Sequence, residues 1–417
     1  VVAFAASAAL GFGGAAGIGV SGAGASALNV ILGDTLAQVD DSALKAAAPV
    51  EVLATAKNTI DAFILSASIG VGAGGTVGVG ASIGVSLARN YVGYNPNEYS
   101  GTVNYTSGTD NPERIVNGDV IRLGPRSGAR ANEVYKYIGD KTLERQDANK
   151  DGAPDDLIMT QDFSDTEKWE QLTTPSANRI LATVTGSSIQ NLDDASNTLG
   201  LSIIADNHQA IDSTVFAGSV AASAGGVVGV ALSGAGGSAV NRIGSETRAL
   251  ISDTSDTGIS VDGNITLKAL DEASIKSTVM AVSVAASFGS FGGSLAISVS
   301  LADNSITNTV EALMDRAVVQ ADGDISVAAL DNASIQSTST AVAVAISGSI
   351  GFAFAGGGAN SYNLIDTRIN AGIDRSTSTP VTGSAEGYSE VTSRKGNIQV
   401  TADSTANASS KVAAAAA

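Results

Sequence analysis

The sequence predicts an all-β protein, a parallel β-helix (β-solenoid) built of repeats of about 60 residues with a small β-rich inserted domain. Three observations lead there. A recurring unit joins a charge-free Ala/Gly/Ser/Val tract to a polar, alternating tract. An asparagine follows the glycine-rich tract at a matching place in each copy. Hydrophobic residues reach 44% while aromatics are only 4%, beside 48 glycines. An apolar content made mostly of Ala, Val and Ile suits thin stacked sheets better than a globular core of large side chains.

The repeat is clearest from Ser277, where STVMAVSVAASFGSFGGSLAISVSLADNS is followed from Thr338 by TSTAVAVAISGSIGFAFAGGGANSYNLIDTRI. An earlier copy opens at Thr214, and others begin near Val1 and Phe63. Asn29, Asn90, Asn241, Asn304 and Asn363 mark the register. Three of their spacings are about 60 residues, and the interval from Asn90 to Asn241 is about 90 longer, which marks an insertion. Two structural readings stand for these asparagines: an internal amide ladder from unit to unit, or left-handed turn positions.

In the polar tract Ile325, Val327 and Ala329 alternate with Ser326, Ala328 and Leu330, the period of a strand with one buried face. Gly323 with Asp324 makes the turn before it, and the signal recurs at Gly263-Asn264 and Gly396-Asn397. The charge-free tracts at 62–88, 213–241, 277–302 and 337–365 each exceed a membrane span in length. They are dense in Gly, Ser and β-branched residues, poor in Leu and Phe, and lack flanking basic clusters and aromatic belts. They read as strands buried on both faces between stacked coils, and no membrane-spanning segment is expected.

The GDISVAA, GNITLKA and GNIQVTA turns, each followed by a DNASIQST-like strand, a VAVA-type tract with glycines and a post-tract Asn, resemble repeats of filamentous haemagglutinin-like giant adhesins. The likeness is closest to leukotoxin-type filamentous adhesins among very large bacterial surface proteins, and it covers nearly all of the chain outside the insertion. It implies a right-handed parallel β-helix, export across the outer membrane, an extracellular or cell-surface location, and a part in adhesion, aggregation or matrix building. The start at Val1 and the alanine run from Ala413 read as cuts through a longer protein.

The expected organisation is therefore solenoid repeats over residues 1–90 and 180–417 with an inserted domain at 91–179. The insertion holds five of the seven prolines, the only tryptophan and six of the eight tyrosines. Short strands are expected at GDVIRLG from Gly118, EVYKYIG from Glu133 and WEQL from Trp169. This order loosely resembles small carbohydrate-binding modules of the chitin-binding kind, which implies that Tyr135, Tyr137 and Trp169 stack on sugar rings. The plain alternative is that the three form the core of a mini-domain with little else to bury.

Asp147, Asn149 and Asp151, with Gly152 after them, open like a calcium loop of the D-x-N-x-D-G type, and Asp155 or Asp156 would complete the oxygen shell. Ile158 stands where an EF-hand has its glutamate, which excludes a full EF-hand. The alternative is an Asx-rich surface turn without an ion. Calcium is the one cofactor expected.

A formal net charge of −18 disfavours nucleic acid as a partner, since the chain would repel phosphate. With no cysteine there are no disulfides, no thiol catalysis and no thiolate metal sites. His208, the only histidine, sits where sister units carry Glu272-Ala273 or Asn332-Ala333, a poor place for a general base. No nucleophile elbow, zinc-binding helix motif or P-loop occurs. No catalytic residue is assigned, and the chain is not expected to be an enzyme. The leading expectation is a structural or adhesive segment of a giant secreted bacterial surface protein, forming a rod or extracellular filament. Its charge-free faces would drive self-association into filaments or tubes, and surface glycans or neighbouring cells are the other partners considered. Two further readings are a carbohydrate-binding module on a passive β-helical stalk and a polysaccharide-cleaving β-helix enzyme.

Overall fold

The computed structural model describes residues 1–95, 101–124, 134–145, 157–158, 160–163, 165, 167–173, 178–191, 199–255, 257–348, 350–374 and 389–417, the side chains of Gln171 and Thr173 apart. The chain divides into two compact units, Val1–Val92 with Asn178–Ala417, and Gly93–Ala177. Among the described residues there are strands and no helix.

The first unit is a parallel β-solenoid. Each coil runs through one long strand in a sheet A, a second long strand in a sheet B and a short strand in a sheet C. Sheet A holds Val2–Gly13, Val50–Gly74, Leu201–Gly225, Ile265–Phe288, Ile325–Ser347 and Ile398–Ala416 in chain order. Sheet B holds Ala16–Ile31, Val77–Val92, Val228–Ser252, Phe291–Asp315 and Ile350–Asp374, with Gly33–Asp40 and Asn178–Thr185 continuing its first two lines. Sheet C holds Ala43–Ala46, Ser188–Asn191, Ile259–Val261, Val318–Ala321 and Glu390–Ser393. The coils are flat and wide: a 25-residue strand such as Val50–Gly74 spans about 80 Å, while each coil adds about 4.8 Å of stack.

Register follows the repeat. Leu201, Ile265, Ile325 and Ile398 stack in one column, so every Gly-Asn-Ile or Gly-Asp-Ile turn stands above the last. The reason for that motif is visible at the corner. Asn264 Oδ1 accepts the backbone N–H of Asp324 at 2.8 Å, and Asp324 Oδ1 accepts that of Asn397 at 2.7 Å, so each turn side chain caps the next coil's corner. Glycine precedes it because a Cβ on Gly323 would lie 2.1 Å from Asn264 Oδ1. At the opposite corner, from sheet B to sheet C, the first four coils each leave sheet B through a left-handed residue, Asp41, Gly186, Asp253 and Arg316, with φ of 44°, 61°, 48° and 48°, and Gly258 at 62° adds a second in the third coil. Arg316 tolerates it while its guanidinium grips Asp253 of the preceding coil, Nη2 to Oδ2 at 2.6 Å.

Interior side chains shrink along each coil. Near sheet C, where three sheets enclose the core, it is filled by Ile203, Ile251, Leu267, Met314 and Ile325. Farther along, sheets A and B face each other alone over an isoleucine layer of Ile211, Ile243, Ile275, Ile306 and Ile335. After a mixed layer with Ile64, Val215 and Val279, the apolar interior is alanine, including Ala221, Ala231, Ala285 and Ala296. At the far edge glycine takes over: a Cβ on Gly17 would sit 1.9 Å from the Ala73 carbonyl oxygen, and one on Gly80 2.0 Å from that of Ala222. Serines bridge the two layers just inside this edge, with Ser7–Ser21, Ser68–Ser82 and Ser219–Ser233 Oγ pairs at 2.6, 2.5 and 2.8 Å. The taper thus explains the Ala/Gly/Ser composition directly, since only side chains of this size fit two backbones at that separation.

The charge-free tracts depart from the sequence expectation of burial on both faces. Each folds back on itself at residues such as Gly75-Thr76 and Gly226-Val227, giving one strand to sheet A and one to sheet B. With only two long layers, one face of each strand points inward and the other outward, where Ile83 is 60% and Ile297 47% exposed.

Sheet B is interrupted once. Its second line stops at Val92, paired with Ile31 and Ile243, and resumes at Asn178, paired with Gly33. Leu32 alone makes that link in the first coil, so the whole of Gly93–Ala177 stands in place of one residue. This second unit has a four-stranded sheet in the order Trp169–Thr173, Val134–Tyr137, Val120–Arg122 and Tyr105–Thr106, with a two-stranded pair from Leu143–Glu144 and Arg114–Ile115.

Candidate functional site

The five register asparagines lie in mid-strand on the inward face of sheet B, not at turns. Each Nδ2 donates to the Oδ1 of the next coil: Asn29 to Asn90 at 2.7 Å, Asn90 to Asn241 at 2.7 Å, Asn241 to Asn304 at 2.8 Å and Asn304 to Asn363 at 2.9 Å. The row ends with Asn363 donating to the Ser409 carbonyl at 3.2 Å. A buried amide has a donor and an acceptor on opposite sides, so stacking at the coil repeat satisfies both at once.

Beside this row runs a second polar layer. Asp271 is fully buried and its carboxylate accepts four bonds: Asn207 Nδ2 at 2.8 Å, Ser245 Oγ at 2.7 Å and Thr247 Oγ1 at 2.7 Å on Oδ2, and Asn308 Nδ2 at 2.8 Å on Oδ1. Burial pushes the Asp271 carboxyl above its ordinary value, against the pull of these hydrogen bonds. One coil on, Asp331 is pushed up to about 6, by burial first and then by the charge of Asp271. Both acids share strand parity with the buried aliphatics Ile265, Leu267, Ala269 and Ile325, Val327, Ala329. That phase was the available sequence signal for placing them inside.

His208 faces outward on sheet A, with Nδ1 2.9 Å from Glu272 Oε2 and Nε2 3.1 Å from Asp206 Oδ1. It is a partly exposed surface contact between coils. Among the described residues no three His, Asp or Glu side chains converge as a metal site. The proposed calcium residues Asp147, Asn149, Asp151, Asp155 and Asp156 all lie outside the described residues.

The three aromatics considered for sugar stacking are the core of the second unit. Tyr135, Tyr137 and Trp169 are 3%, 1% and 2% exposed. Their rings pack with Phe163, at centroid distances of 5.0 Å for Tyr135–Phe163, 5.0 Å for Tyr137–Trp169 and 4.5 Å for Phe163–Trp169. Ile115, Ile121, Leu123 and Ile158 close the cluster. A ring stacked on a sugar needs an open face, and these have none. The physical reason is the one a small domain imposes: with so few large side chains, it buries those it has.

The outer face of sheet B carries a pattern that alternates by coil. Five residues before each register asparagine stand Gly24, Val85, Gly236, Val299 and Gly358, stacked in one column. Seven before it stand Gly22, Ile83, Gly234, Ile297 and Gly356. Coils two and four therefore raise aliphatic ridges, extended by Leu87 and Leu301, and coils one, three and five leave grooves between them. Aligning the repeats on their asparagines shows the alternation in the sequence itself.

No family model, no curated protein and no solved structure matches the chain.

Proposed function

We propose that this chain is a structural, adhesive segment of a giant secreted bacterial surface protein, whose stacked coils form a rod or filament on the cell exterior. The observation that supports the reading is the unbroken register of the coils: corresponding positions of the repeats stack column on column, and a continuous amide row ties them through the interior. Such an array holds by nearest-neighbour contacts and transmits load along the stack. The burial of Tyr135, Tyr137 and Trp169 takes away the support for a sugar-binding module built on those rings.

The test is display of the chain on a bacterial surface, scored for cell aggregation and for attachment to host matrix. The expected result is a gain in one or both over a control protein at equal density. No gain, together with turnover of an acidic polysaccharide by the purified chain, would replace the proposal with an enzymatic one.

A further inference from the structure

We infer that the outer face of sheet B pairs with the same face of a second copy of this chain, ridge into groove. The inference rests on the surface role proposed above only in naming the partner; its physical basis is separate.

Glycine in mid-strand weakens a sheet, and where it persists another backbone or ligand usually comes close. At the narrow edge of the solenoid the facing sheet is that neighbour. On the outer face no described residue is. A Cβ on Gly24, Gly236, Gly356 or Gly358 would meet no atom within 4 Å, and one on Gly22 or Gly234 would find its nearest at 3.9 or 4.0 Å. The described residues therefore give no reason for these glycines. Nor does chance account easily for their strict alternation with Ile and Val from coil to coil.

A two-fold axis parallel to the strands and midway between coils three and four supplies a reason. It lays coil four of one copy over coil three of the other, and coil two over coil five. The Ile297 and Val299 ridge then faces Gly234 and Gly236 of the second copy, and the Ile83 and Val85 ridge faces Gly356 and Gly358. One column over, the same operation sets the small Ala81 against Phe354 and Leu232 against Leu295, so that the alternation is confined to the columns of Ile83, Val85 and Leu87. An axis along the stack would instead set ridge on ridge. Over the columns from Ala81 to Leu87, four coils at about 4.8 Å by roughly 23 Å of strand give about 900 Å² over both copies before corrugation adds to it, the size of a weak, concentration-dependent contact. Carbon-rich and uncharged along these columns, the face loses little on desolvation.

Sedimentation velocity on the full chain at about 100 µM tests this, a concentration at which an interface of that size associates. Wild type is expected to form dimers. Gly236→Val with Gly358→Val fills two grooves without touching the interior; dimerisation should weaken at least tenfold while the melting temperature holds or rises. Ile297→Lys, on a ridge, should do the same. The swap Gly236→Val with Val299→Gly exchanges ridge and groove and should restore pairing relative to Gly236→Val alone. A monomeric wild type, undiminished pairing in the filled-groove and lysine variants, or a swap that rescues nothing would each overturn the inference. A chain that is monomeric in solution yet promotes attachment when displayed would remove the pairing and leave the surface role. One that pairs but neither aggregates cells nor attaches would do the reverse.

Discussion

Two identical substitutions, Gly80→Ala and Gly24→Ala, should have opposite effects, because the two glycines answer to different neighbours. A Cβ on Gly80 would stand 2.0 Å from the Ala222 carbonyl oxygen, 2.8 Å from its carbon and 2.9 Å from the Gly70 oxygen. All three atoms are backbone, so no rotamer can yield, and sheets A and B must part by roughly 1 Å to reach ordinary contact. Parting strains the Ser68–Ser82 bridge at 2.5 Å and opens the alanine layer behind it. Overpacking costs about 1–3 kcal/mol where side chains can adjust; with backbone on both sides the upper end applies, about 3 kcal/mol. At Gly24 nothing lies within 4 Å, and alanine in a strand gains about 0.5–1 kcal/mol over glycine. The two variants should thus differ by about 3–4 kcal/mol. Urea denaturation followed by far-UV circular dichroism is the assay. Fluorescence would mislead, since the only tryptophan, Trp169, belongs to the second unit. Equal shifts in the two variants, or greater damage at Gly24, would refute the account of the narrow edge.

Three other outcomes are expected. Asn304→Leu breaks two amide bonds and strands the Nδ2 of buried Asn241, costing about 2–5 kcal/mol, whereas Asn29→Leu at the end of the row should cost about 1 kcal/mol; denaturation midpoints would compare them. Asp331 has a folded-state value of about 6, raised above its ordinary 3.8, so its neutral form is favoured in the folded chain. Its contribution to stability should therefore grow as pH falls from about 6 towards 4 and be absent above 6; Asp331→Asn should flatten that part of the pH profile of the melt, and an unchanged profile would count against a buried titration. Trp169→Ala should unfold the second unit, with a loss of about 3–5 kcal/mol there, and leave the circular-dichroism transition of the solenoid in place.

Much of this architecture was legible before any coordinates. The asparagine spacing matches the coil length, the Gly-Asn-Ile and Gly-Asp-Ile turns mark the corner before the last three sheet A strands, and proline and aromatic residues crowd into 91–179, a stretch that overlaps the second unit Gly93–Ala177. What escaped did so for definite reasons. Composition does not say which face of an Ala/Val strand looks outward, so the folding back of each charge-free tract was not foreseen. Asp271 and Asp331 carry a residue type that ordinarily marks a solvated face, and only their odd-numbered phase with Ile265 and Ile325 betrays them. Tyr135, Tyr137 and Trp169 have the chemistry for sugar stacking, but burial decides whether a ring face is open, and burial is a tertiary property.

The single-residue gap that Gly93–Ala177 fills has an evolutionary and practical corollary. A strand that departs and returns one step apart behaves like a cloning site: foreign cargo of any size whose termini lie close together can be spliced in without altering the pitch of the coils above or below. The module at that junction can therefore be handled as a cassette, and an engineer can replace it with an antigen or a fluorescent reporter.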